Sequence, residues 1–168
     1  MLEVPIRIIQ GNINRSSQAT ETILELGVSE KADIILLQEP WIHRSREEGY
    51  TRSINHGSFI PIRPEIGKEV RPRVLAYRRQ ESQIQVSLDL NSDPDIQSLI
   101  IKDNKGGTIQ VLNVYNEKNK LGEWTVERAL YTLSIRNIAI LAGDFNIRHP
   151  SWDPNGRDNS IRAREFLD

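Results

Sequence analysis

Ile138-Ala139-Ile140-Leu141-Ala142 is a run of apolar residues with no polar alternation. A strand with one wet face alternates apolar and polar side chains, so an unbroken apolar run belongs inside a sheet covered on both faces. A chain carrying such a strand must fold in layers. The run breaks at Gly143, and Asp144, Phe145 and Asn146 follow. Continued alternation would turn Asp144 and Asn146 one way and Phe145 back toward the core. A carboxylate and an amide would then stand together at the C-terminal end of a buried strand, where α/β proteins tend to place their sites. A simple Asp/Asn turn would be written with the same letters.

Other segments repeat the plan. Ile6-Arg7-Ile8-Ile9 predicts a strand ending near Gly11-Asn12-Ile13-Asn14. Ser16 or Ser17 can cap a helix whose Ala19, Ile23 and Leu26 recur at helical spacing, with Gly27 as its stop. Ala32-Asp33-Ile34-Ile35-Leu36-Leu37-Gln38-Glu39-Pro40 predicts a second strand with a carboxylate at its exit. Strand, helix and strand in so short a span imply a βαβ crossover and neighbouring parallel strands. The middle of the chain predicts short strands over 58–62, 73–78, 84–88 and 96–102, punctuated by Pro61, Pro64, Pro72 and Pro94. Asn104-Lys105-Gly106-Gly107 is a hairpin turn, and 108–115 returns as a strand. On that strand Ile109, Val111 and Asn113 share one face, and Gln110, Leu112 and Val114 the other. Helices are expected from about 123 to 136, with Trp124, Ala129, Leu130 and Leu133 on the apolar face, and over 161–168. No repeat or linker divides residues 1–168, which read as a single α/β domain.

Composition narrows the partners. The 168 residues are 38% hydrophobic and 27% charged, a globular rather than a disordered balance. The net charge of -1 gives no overall attraction to a polyanion, so contact with nucleic acid must come from local patches. Arginines do group, at Arg44 and Arg46, at Arg71, Arg73, Arg78 and Arg79, and at Arg148, Arg157, Arg162 and Arg164. The absence of cysteine excludes disulfides, thiolate metal sites and a cysteine nucleophile. No apolar run approaches the roughly 20 residues of a membrane span. The first residues lack the layout of a secretory signal, so no membrane partner and an intracellular location are expected.

Three strand exits therefore carry metal-compatible oxygen donors: Asn12, Glu39, and Asp144 with Asn146. A fourth ends in Tyr115-Asn116-Glu117. Magnesium suits such a set, because it takes one or two protein carboxylates, keeps its waters and accepts substrate phosphate oxygens. Phosphodiester hydrolysis needs the same mixture of a cation, an oriented water and donors for developing charge.

The segments Gln10-Gly11-Asn12-Ile13-Asn14, Leu36-Leu37-Gln38-Glu39-Pro40, Leu112-Asn113-Val114-Tyr115 and Gly143-Asp144-Phe145-Asn146 resemble, in order, the motifs of the endonuclease/exonuclease/phosphatase superfamily. The continuation His149-Pro150-Ser151-Trp152 resembles in particular the endonuclease domain of LINE-type (non-LTR) retrotransposons. The resemblance implies a four-layer α/β sandwich, two mainly antiparallel sheets faced by helices. It implies that Glu39 binds the divalent metal (Mg2+, with Mn2+ as a substitute) beside Asn12. By the same resemblance Asp144 orients or deprotonates the attacking water, Asn146 holds that water or a phosphate oxygen, and Tyr115 donates to the scissile phosphate. Arg73, Arg148 and His149 are the DNA-contact candidates. The implied reaction is a nick in target DNA that primes reverse transcription by a further polymerase domain, which places the protein in the nucleus.

The superfamily pattern ends with Ser-Asp-His, and none of His43, His56 and His149 follows Ser-Asp. The chain is therefore expected to be an incomplete, C-terminally truncated domain with impaired activity. Two other readings stay open: a non-catalytic remnant of such a domain, and a phosphatase of the same fold acting on small phosphoesters or phosphoinositides. Oligomeric state is not legible.

Overall fold

The computed structural model describes residues 5–89, 93–118, 121–132 and 138–146. Its elements in chain order are β1 (Ile8–Asn12), α1 (Ser17–Ser29), β2 (Ile34–Gln38), β3 (His43–Ser45), β4 (Gly49–Arg52), β5 (Phe59–Ile62), β6 (Val74–Arg79), β7 (Gln85–Leu88), β8 (Ile96–Lys102), β9 (Thr108–Tyr115), α2 (Thr125–Thr132) and β10 (Ile138–Asp144). The helix expected over 161–168, and the end of the one expected to reach 136, lie outside the described residues, as do Arg148, His149 and Trp152.

The crossover forms as anticipated. β1 and β2 run parallel, with Asn12 opposite Gln38. Ser16 caps α1, its Oγ accepting from the Ala19 amide at 3.1 Å, a bond worth about 1 kcal/mol. Gly27 does not end this helix, which continues to Ser29. The physical reason is contact: a Cβ on Gly27 would be forced into the Ile35 side chain, so the missing side chain seats the helix on β2. The buried face is accordingly centred on Thr20, Leu24 and Gly27, while Leu26 is 46% exposed.

The strands form two mixed four-stranded sheets, one ordered β1-β2-β6-β5 and the other β10-β9-β8-β7. Each has one parallel pair, β1–β2 or β9–β10, and two antiparallel pairs. Gly106, at φ 87°, makes the turn between β8 and β9. The β3–β4 ribbon was not anticipated: it is short and polar, with no apolar alternation to announce it.

Alternation sorts the strand residues into separate cores. Ile34, Leu36 and Ala76 from the first sheet pack against Leu99, Ile101, Ile109 and Val111 from the second, so the sheets meet face to face. Each such side chain, once fully buried, contributes about 1.5–3 kcal/mol. Leu24 of α1 packs with Ile35, Leu37, Leu75 and Tyr77 on the opposite face of the first sheet. Val126 of α2 joins Ile96, Leu112 and Val114 of the second sheet. Ile140 and Ala142 pack with the intersheet core, and Leu141 and Phe145 with the Val126 cluster, the alternation read from the β10 sequence. Among the described residues no helix is long and apolar enough to cross a membrane.

Candidate active site

The two parallel pairs end at one rim between the sheets. Parallel pairing puts Asp144 beside Tyr115 and Asn12 beside Gln38, all on inward faces. Gly143 makes this register possible, since a Cβ there would collide with the Val114 backbone carbonyl. Asn12 then reaches from the first sheet to the second: its Nδ2 donates to Asp144 Oδ2 at 2.7 Å and to Glu39 Oε2 at 3.4 Å. Asn12 Oδ1 turns back to accept from the Asn14 amide at 2.9 Å. The structure thus brings Asn12, Glu39, Tyr115 and Asp144 together. It presents Asn12 as the donor joining two carboxylates, with its amide oxygen turned away from them.

Glu39 is held in an unusual backbone conformation. It precedes Pro40, where extended geometry is the rule, yet its φ is 47°. Among the described residues five non-glycine positions have positive φ, and Asn14, Arg15, Glu39 and Asn146 all border this rim. Such conformations cost about 1–3 kcal/mol each and gather at functional sites. Here they are pinned by backbone bonds: Glu39 N to Arg73 O at 2.8 Å, and Arg15 N to Glu39 O at 2.7 Å. Arg15 Nη2 also pairs with Glu39 Oε1 at 3.1 Å. Sequence reasoning missed Arg15, although its place three residues after Asn12 in the same turn was the available signal.

Asn146 departs from the alternation expected of it. β10 stops at Asp144, and Asn146 adopts a φ of 49° with its amide donating to Asp144 Oδ1 at 3.2 Å. An Asx-type turn thus replaces a further strand residue. Asn146 Nδ2 donates to the Asn116 carbonyl at 3.1 Å. Asn116, read from the sequence only as part of the Tyr115-Asn116-Glu117 strand exit and given no role, is buried. Its Nδ2 donates to Phe145 O at 2.7 Å, and its Oδ1 accepts from Val126 N at 3.1 Å. One amide therefore ties the Asp144 loop to the start of α2.

Tyr115 sits under Arg73, whose guanidinium carbon lies 5.1 Å from the ring centre. Burial and then the Glu39 charge push the phenol above its ordinary range, Asp144 adding to the rise and Arg73 opposing it. Tyr115 is therefore a protonated donor at neutral pH. Arg73 itself is engaged by Asp95, through Nε and through Nη2 at 2.6 Å, and by Glu117 through Nη1. With two carboxylates on it, Arg73 offers little net charge to a phosphate backbone. Arg148 and His149, the other proposed contacts, lie outside the described residues.

The donors at the rim are hard oxygens with no thiolate or imidazole among them, the chemistry of a magnesium-type cation. Among the described residues no three His, Cys, Asp or Glu side chains gather to enclose a metal alone. A pair of partly buried carboxylates at the edge of the sheets suits an ion that completes its shell from solvent and substrate. Glu39 and Asp144 are the residues that fit this role.

The comparisons with known proteins bear on the fold and the family. The fold is similar to that of "Endonuclease domain of TRAS1, a telomere-specific non-LTR retrotransposon", with a TM-score of 0.68 and 16% identity over 97% of this chain and 68% of that one. It is also similar to the AP endonuclease LMAP from Leishmania major, with a TM-score of 0.53 and 10% identity over 84% of this chain and 55% of that one. At these identities the likeness is one of fold. A search of curated proteins returned no match. The profile of the Endonuclease/Exonuclease/phosphatase family matches residues 9–163, nearly the whole chain and every strand exit described above. The chain belongs to the endonuclease/exonuclease/phosphatase family.

Proposed function

We propose that residues 1–168 belong to one divalent-metal-dependent phosphodiesterase domain, a DNA-nicking endonuclease of a non-LTR retroelement. The observation that carries this reading is the meeting of Asn12, Glu39, Tyr115 and Asp144 at one rim, joined by the Asn12 amide. The likeness to the TRAS1 domain supports the retroelement setting; DNA as partner, a reverse transcriptase domain in the full element and the nucleus as place of work belong to the same proposal. The same reading extends the two facing sheets and their helices to a four-layer sandwich.

In this reading Glu39 and Asp144 hold Mg2+, with Mn2+ as a substitute. The bound cation supplies charge at the phosphate and a more acidic water. Asp144 accepts the proton of the attacking water or orients it. Tyr115, a neutral phenol at physiological pH, donates to a phosphate oxygen as charge develops there. Asn12 holds the two carboxylates at a fixed separation. Arg15 offsets part of their charge and orients Glu39. Asn146, bound to Asn116, keeps the loop after Asp144 in its turn.

The test compares three substrates with magnesium: duplex DNA, a small phosphodiester and a phosphoinositide headgroup. Hydrolysis of DNA above the other two, lost in Asp144→Ala, is expected. A preference for the phosphoinositide would replace DNA nicking by a phosphatase role. Failure on all three by folded protein would leave a non-catalytic remnant.

A further inference from the structure

Beneath the rim lies a second polar contact between the sheets. Gln38 shares the inner face of β2 with Ile34 and Leu36, and Asn113 shares that of β9 with Ile109 and Val111. Gln38 Nε2 donates to Asn113 Oδ1 at 2.7 Å, and Asn113 Nδ2 donates to the Leu37 and Leu75 carbonyls at 3.3 Å. Both side chains are fully buried, and Gln38 Oε1 finds no hydrogen-bond partner among the described residues. Two amides in an apolar layer, one of them half satisfied, are a poor choice for stability alone. Matched apolar side chains would fill the same space without that desolvation. What the amides add is direction: their bonds form at only one separation and one register of the sheets.

That register is the one the rim requires. Gln38 immediately precedes Glu39 and lies opposite Asn12, while Asn113 lies opposite Ala142, two residues before both Tyr115 and Asp144 on their strands. Asn12 thus stands beside one half of the clamp and Glu39 directly after it, while Tyr115 and Asp144 stand one inward-facing position beyond the other half. We propose that Gln38 and Asn113 are positioning residues whose amide clamp sets the gap between the sheets, so that Glu39 and Asp144 share one divalent cation. This rests on the metal-dependent reading above.

The test uses the full chain and three proteins: wild type, the apolar pair Gln38→Met/Asn113→Leu, and the exchanged pair Gln38→Asn/Asn113→Gln. The apolar pair removes both side-chain amides together, and the Leu37 and Leu75 carbonyls lose only long 3.3 Å bonds, so its thermal midpoint should stay close to that of wild type. Mn2+ binding is read directly from the loss of the free-ion paramagnetic resonance signal. The apolar pair is expected to bind Mn2+ at least about tenfold more weakly, and magnesium half-saturation of hydrolysis should rise in step. The exchanged pair keeps an amide on each sheet and is expected to bind more tightly than the apolar pair, whatever its stability. Unchanged Mn2+ affinity in a stable apolar pair, or weaker binding by the exchanged pair, would overturn the clamp and leave the metal reading standing. Wild type that binds no Mn2+ would overturn the metal reading and the clamp with it.

Discussion

Asn116 is the residue whose removal should be most costly for its size. Its side chain is 1% exposed and makes two bonds, donating to Phe145 O at 2.7 Å and accepting from Val126 N at 3.1 Å. In Asn116→Ala both are lost. The Val126 amide lies in the first turn of α2, where helix donors have no partner within the helix. Two net hydrogen bonds and one buried unpaired donor together amount to about 2–4 kcal/mol. For a chain of this length that lowers the melting midpoint by roughly 5–15 °C. Urea unfolding followed by tryptophan fluorescence measures it, with an unchanged slope expected because the surface exposed on unfolding is the same. The catalytic consequence should exceed the thermodynamic one, since Phe145 follows Asp144 directly and its loop loses a tether. A stability loss below about 1 kcal/mol would refute the reasoning, because two buried bonds cannot be removed so cheaply.

Other expectations follow from the same geometry. Gly143→Ala forces a Cβ into the Val114 carbonyl and should cost about 1–3 kcal/mol in thermal unfolding. Because β10 must shift against β9, hydrolysis should fall by more than stability does. Glu39→Gln keeps the shape beside Arg15 and Asn12 but removes the charge, and hydrolysis should drop about 10²–10³-fold with Mn2+ binding weakened. Alkali should destabilise the fold through Tyr77, which burial pushes upward while its hydroxyl donates to Ile54 O at 2.9 Å. A folded value above the unfolded one leaves this stability fully present below about pH 10, to be lost as pH rises through the folded value. Urea midpoints measured across that range in wild type and Tyr77→Phe should converge at high pH, and parallel curves would contradict the assignment.

The apolar runs were the legible part of the fold. Every strand with a buried face was anticipated to within a few residues, because burial writes itself as hydrophobic pattern. The β3–β4 ribbon was invisible because both its strands are short and polar, with no apolar alternation. Gly27 was misread because a glycine needed for close helix–sheet contact is spelled like one that ends a helix. At the site, Asn12, Glu39, Tyr115 and Asp144 could be named because each ends a recognisable strand. Their separations could not, since the two sheets meet through pairs as distant as Asn12 and Asp144. Asn146 was misplaced because alternation was carried one turn too far, past the point where φ becomes positive. Arg15 had a local signal in its place after Asn12, but its pairing with Glu39, like the bonds of Asn113 and Asn116, reaches elsewhere in the chain, and no local pattern marks such bonds.

The measurement that bears most directly on the proposed function is relaxation of supercoiled plasmid by the purified chain with magnesium. One break relaxes a whole circle, so even slow turnover becomes visible. Open circles should accumulate with magnesium, stop on chelation and fail to form with Asp144→Ala. Supercoils left intact by folded wild type, or relaxed equally by Asp144→Ala, would contradict an active centre at the rim where Glu39 and Asp144 meet.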